Sequence, residues 1–307
     1  MAKYLLKRIL MMIPTIMAVI LVVFLMLYYV PQGRVTNIVA ADQTLLNHLF
    51  SFLHIPEGLF TQYIRYVWNL FTRLDMGVSA RSGVPVSSEV LYRGSYTIRL
   101  TVLGLIFTAL VSVPLGIHSA LHRGKWIDSA ISFFTQLFSS VPSYCFAIFL
   151  VLLFALRLKL LPSFYTDSIR GHILPVLMIS INGIAQTTKI VRATVLETLD
   201  QQFITALRSK GLRERIVIYR HALKNSLISI LSVLRATVTK TLSSTLIAEM
   251  FFSIPGLGYY LLNAVNSRNT IQILGCTVII AVILMSINIV SDLLYIWADP
   301  QLRSAYK

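Results

Sequence analysis

Six long apolar segments constrain the fold of this chain more than any other feature of its sequence. A helix needs about 20 apolar residues to cross the hydrocarbon core of a bilayer. The segments that meet this requirement lie at residues 9–30, 98–121, 130–156, 172–191, 227–251 and 273–297. Hydrophobic residues make up 56% of the 307-residue chain and charged residues only 13%, about half of the share in soluble domains. The sequence therefore predicts an all-α membrane protein with six transmembrane helices.

The first apolar segment follows a basic N-terminus and has two interpretations. Lys3, Lys7 and Arg8 precede it, as basic residues precede the core of a signal peptide. Its apolar run, residues 9–30, is 22 residues long, which exceeds the length of such a core, and no small-residue cleavage site follows. We therefore expect this segment to remain as a membrane anchor.

Lysine and arginine residues set the predicted orientation. With an inner N-terminus, fifteen of them fall on inner segments and ten on outer ones. Inner segments of membrane proteins collect Lys and Arg near the ends of spans. Six of the ten outer residues lie in or beside one long connection, where charge has less influence on orientation. We therefore expect both termini to be cytoplasmic, and the net charge of +15 follows from the basic inner segments.

The connections between the spans differ in length and character. Residues 31–97 form a long outer segment that contains "LFTQYIRYVWNLF", an amphipathic pattern typical of a helix at the membrane interface. Residues 192–226 form a long inner segment with helical periodicity. The chain shows no internal repeat and no linker, so we expect one transmembrane domain over residues 1–307.

Several classes of site lack their sequence signatures. The chain has no Walker-type glycine loop, no HExxH and no CxxC. Its two cysteines, Cys145 and Cys276, fall in apolar runs and are typical of small buried residues. The sequence therefore predicts that this chain binds no metal and no nucleotide, and that it is not an enzyme.

The inner segment from 197 to 226 reads "ETLDQQFITALRSKGLRERIVIYRHALKNS". A glycine disfavours a helix interior by about 1 kcal/mol, so Gly211 is expected to end one helix and start another. The segment is either a solvated basic loop that fixes topology or a docking surface for another protein. Its apolar residues at helical spacing need a surface to pack against, which favours docking.

Polar residues inside two spans predict a translocation pathway. Lys240 lies near the middle of the fifth span, with Thr237 and Ser244 on the same helical face. Asn182 and Gln186 make the fourth span unusually polar. Polar groups at membrane depth face water or a partner, so these residues are expected to line the pathway. The alternative for Lys240 is a buried ion pair with Glu249 or with an acid of another subunit.

The stretch "IPGLG" at residues 254–258 is too short and too rich in glycine for a span. It predicts a turn near the outer mouth of the pathway. Its candidate gate residues are Pro255, Gly256 and Gly258.

Beyond these patterns, the chain resembles the permease subunits of ATP-binding cassette (ABC) importers, in their dipeptide, oligopeptide and nickel branch. That family carries an inner Glu-Ala-Ala…Gly loop, and Thr205, Ala206, Leu207 and Gly211 stand in those places here. The branch pattern "ArAKGL…rHaLrNallP" resembles "LRSKGL" and "RHALKNSLIS" of this chain. The resemblance covers nearly the whole chain. It includes "LDMGVS" (74–79), "SSVPSYCFAIFLVLLFALRLKLLP" (139–162), "IAEMFFSIPGLGYYLLNAVNSRN" (247–269) and "SDLLYIWADPQLR" (291–303).

The resemblance implies the type I importer permease fold and a location in a bacterial or archaeal plasma membrane. It also implies four kinds of partner: a second, similar permease, two ATPase subunits, an extracytoplasmic substrate-binding protein and the lipid bilayer, with no nucleic acid. In such importers ATP and Mg²⁺ bind to the ATPase subunits, and the short helix of the permease's inner loop inserts into a groove of one ATPase subunit. The implied solutes are peptides or similar small molecules.

The same resemblance assigns roles within the inner loop. Ala206 allows close approach, Gly211 turns the chain, and Arg208, Lys210 and Arg215 can pair with acidic groups of the ATPase. The implied ATPase-coupling interface comprises Ala206, Leu207, Arg208, Lys210, Gly211, Leu212, Glu214 and Arg215.

Two other functions are weighed against a permease subunit. A self-sufficient channel or secondary transporter predicts an internal repeat, and the sequence shows none. A membrane-anchored nucleic-acid binder predicts salt-dependent binding by the basic loop, but the apolar residues between its charges favour a protein groove.

Overall fold

The computed structural model describes residues 2–29, 59–79 and 82–298, and the regular elements in these ranges are helices. Part of the predicted outer segment and the C-terminal residues 299–307 lie outside the described residues. The helices are α1 (Ala2–Tyr29), α2 (Leu59–Arg73), α3 (Val86–Leu121), α4 (Trp126–Ser140), α5 (Ser143–Leu150), α6 (Ile169–Leu199), α7 (Gln202–Ser209), α8 (Glu214–Ile216), α9 (Leu223–Phe252), α10 (Leu257–Asn266) and α11 (Thr270–Ala298). Two π-helical turns, Val151–Arg157 and Val217–Ala222, continue α5 and α8.

The six predicted spans fall largely on helices of the described chain, and residue 30 of the first lies outside the described residues. By length and composition, α3, α6 and the part of α11 up to Leu293 can each cross a membrane. The number rises to five if two helix pairs with short breaks between them each count as one span. In α1, residues 10–26 form a shorter apolar stretch. The described chain therefore carries several membrane-spanning candidates, and the predicted total of six stays a prediction.

The predicted third span, residues 130–156, is interrupted. Helix α4 ends at Ser140, and the pair formed by α4 and α5 with its π-helical turn bends by 104°. Pro142 lacks a backbone N–H, and its ring disfavours helical geometry at the preceding residue. Val141 accordingly adopts an extended conformation, with φ −98° and ψ 128°. This segment is therefore two helices with a sharp bend between them rather than one straight helix.

Other boundaries also differ from those predicted. Helix α3 begins at Val86 rather than at residue 98, because its polar first turns are helical. In those turns the Arg93 Nε donates to Glu89 Oε2 over 3.0 Å, a pairing that supports helices at this spacing. Helix α6 continues through Leu199 into the predicted inner loop, and α10 lies within the predicted last outer loop.

The described chain divides into two compact units. The smaller unit comprises the described residues of Ala2–Ile98 together with Pro255–Ser286. In it, the Tyr63 hydroxyl donates to the Met17 carbonyl over 3.0 Å, which holds the amphipathic α2 against α1. The Leu257 N–H donates to Thr97 Oγ1 over 3.0 Å at the start of α10. Side-chain hydrogen bonds thus tie α2 to α1 and α10 to α3 within this unit.

The larger unit comprises Arg99–Ile254 and the described residues of Ile287–Lys307. Its helices approach closely through small residues, as is common in membranes. A Cβ atom at Gly104 would lie 2.8 Å from Ile179 Cγ2, so only glycine permits this contact between α3 and α6. The Ser180 hydroxyl donates to the Gly104 carbonyl over 3.1 Å. Packing and hydroxyl hydrogen bonds together fix this part of the bundle.

A buried ion pair fixes α4 to α6 in the larger unit. The Arg192 Nε and Nη2 donate to the two oxygens of Asp128 over 2.6 and 2.7 Å. The Ser119 hydroxyl and the Gly124 N–H donate to the same carboxylate over 2.6 and 3.0 Å. The carboxylate thus accepts four hydrogen bonds, which satisfies most of its acceptor capacity.

Candidate functional site

The predicted inner segment folds into a small helical projection, here called the knob, comprising residues 202–216. It joins α6 to the π-helical turn that leads into α9. Ile204, Val217 and Ala222 form a buried cluster, and Leu199 and Leu207 pack against it. The apolar residues of the inner segment therefore pack against one another. This packing attaches α7 to the π-helical turn that precedes α9.

Gly211 breaks the knob into two helices, as the sequence predicts. Helix α7 ends at Ser209 and α8 begins at Glu214. Gly211 has φ +75°, in the left-handed region that favours glycine. A Cβ atom here would meet nothing within 4 Å, so backbone conformation alone requires the glycine.

An ion pair closes the turn around Gly211. The Arg208 Nη2 donates to Glu214 Oε1 over 2.7 Å and its Nε to Glu214 Oε2 over 3.2 Å. This hydrogen bonding raises the pKa of Arg208 and lowers the pKa of Glu214. Both were predicted as coupling residues, and the structure brings them together. The Arg208 side chain therefore forms hydrogen bonds to Glu214 within the knob, and it is also exposed to solvent.

The outer surface of the knob combines basic and apolar side chains. Ala206, Lys210 and Arg215 are exposed. The large apolar side chains of Leu212 and Ile216 are also exposed. Leu207 is half-buried and faces the cluster beneath, so it supports the knob rather than extending its surface. This surface offers cations and apolar contacts to another molecule.

Lys240 and Gln186, two predicted pathway residues, contact each other. The Lys240 Nζ donates to Gln186 Oε1 over 2.8 Å, which connects α9 to α6. Both side chains are exposed on the surface of the larger unit. Glu249 is fully buried, and the described chain shows no ion pair between it and Lys240. The internal ion pair weighed as an alternative is thus not formed.

The other predicted pathway residues differ in exposure. Thr237 is buried in the contact between α6 and α9, where its hydroxyl lies 3.3 Å from that of Thr187. Ser244 and Asn182 are half-buried. Asn182 Oδ1 has no hydrogen-bond partner although it is shielded from solvent. A role for these three in the pathway stays a prediction.

Two further cations lie on these helices. The Arg235 Nε pairs with Asp292 of α11, whose carboxylate is buried. The Lys189 Nζ donates to Gln136 Oε1 of α4 over 2.6 Å. Lys189 was not among the predicted pathway residues. Asp292 is the one acidic residue in the sixth predicted span, residues 273–297. That feature of the sequence could have identified it as the partner of Arg235.

The predicted outer turn lies between α9 and α10. Ser253 ends α9 with φ +56°, and the Ile254 N–H donates to the Glu249 carbonyl over 3.0 Å. Gly256 precedes the first residue of α10, and both Gly256 and Gly258 are buried. Pro255 is half-buried. The turn is confirmed, and its role as an outer gate stays a prediction.

The described residues show no group of three or more His, Cys, Asp or Glu side chains that could hold a metal ion. Their polar clusters consist of ion pairs, amides and hydroxyls. The surface of the knob and the Lys240–Gln186 pair both offer positive charge to another molecule.

Comparison with known proteins identifies the type of chain. Residues 112–304 match the family described as "Binding-protein-dependent transport system inner membrane component". A dipeptide transport system permease protein of Bacillus subtilis is 28% identical over 99% of this chain and 98% of its own length. A putative peptide transport system permease protein of Brucella abortus is 30% identical over 99% of both chains. These similarities extend over all the predicted spans.

A solved structure shares the fold. It is that of the MetNI methionine ABC transporter in inward-facing conformations, with a TM-score of 0.57 and 14% sequence identity. The match covers 68% of this chain and 96% of the matched chain. It supports the predicted type I permease fold.

Proposed function

This chain belongs to the family of binding-protein-dependent transport system inner membrane components, and from that premise we propose how it couples and what it carries. It is a multi-pass inner membrane protein and a permease subunit of an ABC importer. We propose that it forms half of the pathway beside a second, similar permease. Two ATPase subunits and an extracytoplasmic binding protein complete the assembly. The chain itself binds neither ATP nor Mg²⁺.

The geometry of the knob carries the proposal for coupling. Ile204 anchors α7 to the bundle, and Gly211 and the Arg208–Glu214 pair fix the shape of the turn. A projection that transmits motion must keep its shape when its partner moves. We propose that the exposed Lys210, Arg215 and Leu212 contact the ATPase, and that both termini lie on the same, cytoplasmic side.

We propose peptides as the solutes. Relatives similar over 99% of this chain are dipeptide and peptide transport permeases. The Lys240–Gln186 pair supports a polar pathway along α6 and α9. Uptake by the assembled complex in proteoliposomes, with and without ATP inside, tests this function. Uptake by the permease without an ATPase would contradict it and would favour a self-sufficient transporter.

Substitution at Gly211 tests the knob most directly. A β-branched residue in the left-handed region is disfavoured by about 1–2 kcal/mol, and no side-chain clash complicates the result at this position. We expect Gly211→Val to lower the ATPase stimulation that loaded binding protein produces, and to lower uptake with it. Native mass spectrometry of the purified complex checks that both permeases and both ATPases are present.

Gly211→Asn is the matched control, because asparagine tolerates left-handed geometry. It should retain most of the stimulation and uptake. Binding of solute to the separate binding protein should be unchanged in both variants. Full uptake by Gly211→Val would contradict a rigid knob at this position.

A further inference from the structure

Two lysines of the larger unit hold only neutral partners among the described residues. The Lys189 Nζ donates to Gln136 Oε1 over 2.6 Å and to Ser139 Oγ over 3.1 Å. The Lys240 Nζ donates to Gln186 Oε1 over 2.8 Å. An amide or hydroxyl oxygen orients an ammonium group but leaves its net charge in place. Both positive charges are thus held in position without being neutralised.

The two lysines lie on one face of the bundle. Gln186 and Lys189 are three residues apart on α6 and are therefore neighbours on its surface. Lys240 reaches across from α9 to the same Gln186. We call this surface, made of Gln136, Ser139, Gln186, Lys189 and Lys240, the lysine face.

The lysine face lies within the predicted spans. Lys189 stands two residues before the end of the predicted span 172–191, which is about 3 Å along a helix. Lys240 stands 13 residues after the start of the predicted span 227–251, which is about 20 Å. A charged lysine against hydrocarbon at the depth of Lys240 costs at least about 2.5 kcal/mol. The face must therefore meet water or another molecule.

We propose that the lysine face is a transient binding site for one oxyanion, the carboxylate of a transported peptide. This rests on the proposed function and specifies where its solute is held. The ammonium groups attract the carboxylate, and the amides of Gln136 and Gln186 hold the two ammonium groups in place. A lysine is a flexible point charge without the bidentate geometry of arginine. Such a site binds loosely enough to release its anion, as conduction requires.

A carboxylate of the second permease is the competing occupant. It would neutralise the lysines in the assembled complex and would close the face to water. A solute site instead stays open to water and favours anions. A thiol introduced at this face should therefore react with charged probes if the face binds solute, and should be protected from them if the second permease covers it.

The experiment measures access and charge preference at position 240 in the whole importer. In a background with Cys145→Ser and Cys276→Ser, Lys240→Cys introduces one thiol on this chain. Two probes of similar size react with it: the anionic 2-sulfonatoethyl methanethiosulfonate and the cationic 2-(trimethylammonium)ethyl methanethiosulfonate. Both react with the same thiolate, so a change in the pKa of the thiol cancels in the ratio of their rates.

We expect the thiol to react with both probes in the assembled complex. Adding Lys189→Gln should lower the ratio of anionic to cationic rates by about tenfold, because the charge of Lys189 acts at short range. Lys125→Gln, which removes an exposed lysine at the start of α4, should leave the ratio unchanged. If Lys240→Cys prevents assembly, the reciprocal pair Lys189→Cys with Lys240→Gln gives the same comparison.

Two results would overturn the proposal. Protection of the thiol from both probes would show that the lysine face is covered by the second permease. A ratio unaffected by Lys189→Gln would show that the lysines do not act together. ATP-driven uptake by the parent complex is scored separately, so its absence would contradict the importer function without changing the measured ratio.

Discussion

The larger unit holds its cations in two contrasting ways. Arg192 and Arg235 are each paired with a buried carboxylate, that of Asp128 or of Asp292. Lys189 and Lys240 are bonded to amides and face outward. The planar guanidinium matches a carboxylate in fixed geometry, whereas the ammonium group rotates freely and adapts to changing partners. The arginines thus fix helices to one another, and the lysines remain available to other molecules.

The ion pair of the knob is intermediate between the buried arginine–carboxylate pairs and the lysines that are bonded to amides. Arg208 and Glu214 form a bidentate pair, but their side chains are 45% and 55% exposed, whereas that of Asp128 is only 7% exposed. Water screens an exposed pair and reduces its contribution to stability. The pair on the knob is therefore expected to fix a local shape without stabilising the fold.

Loss of the Asp128 carboxylate should have the largest effect on stability. Asp128→Asn leaves Arg192 without its counter-charge in a mostly buried position, and breaking such pairs costs about 3 kcal/mol. We expect the apparent free energy of unfolding of the complex to fall by about that amount. It is measured by titration with SDS in mixed micelles.

Asp200→Asn is the matched control for this measurement. Its partner Arg123 lies 3.4 Å away, and both side chains are mostly exposed. The expected loss is below about 1 kcal/mol. Equal losses from Asp128→Asn and Asp200→Asn would remove the distinction between buried and exposed pairs.

Reversal of the Arg208–Glu214 pair should change coupling more than stability. Arg208→Glu places two carboxylates together and should lower ATPase stimulation by loaded binding protein, with a stability change below about 1 kcal/mol. The double exchange Arg208→Glu with Glu214→Arg re-forms the pair and should restore most of the stimulation. Lys210→Glu is the control, since Glu214→Arg should not rescue it. Failure of the exchange to restore stimulation would mean that Arg208 contacts the ATPase directly.

Substitution of the lysines should have the smallest effect on stability. Lys189→Gln and Lys240→Gln remove no carboxylate partner in the described chain, so the free energy of unfolding should change by less than about 0.5 kcal/mol. The same SDS titration measures it. A loss comparable to that of Asp128→Asn would show that the lysines, like the arginines, are structural.

Local sequence signals predicted much of the knob and the spans. Runs of about 20 apolar residues identify spans because membrane thickness sets their length. Gly211 identified the break in the inner segment because its left-handed backbone disfavours other residues. The family resemblance is confirmed by the match over residues 112–304. The apolar runs, the glycine break and the family motifs each depend on residues that are close together in the sequence. They can therefore be recognised without a structure.

Pairings between distant residues could not be predicted in the same way. Lys189 lies 53 residues from Gln136, and Lys240 lies 54 residues from Gln186. Helical periodicity gives the face of each residue on its own helix but not the neighbour that this face meets. Pro142 indicates where the third predicted span can break, but the sequence does not give the size of the bend, which is 104°.

The sequence by itself determined the class of this protein: apolar segments long enough to span a membrane, a basic inner segment broken at Gly211, and membership of a permease family. Only the tertiary structure decided which charges are neutralised. Arginine and lysine carry the same charge in a sequence. The carboxylate of Asp128 neutralises Arg192, so that site is structural. The amide of Gln186 does not neutralise Lys240, so that site can attract an anion. The physical reason is that electrostatic energy depends on distance and burial, which are set by packing rather than by position along the chain.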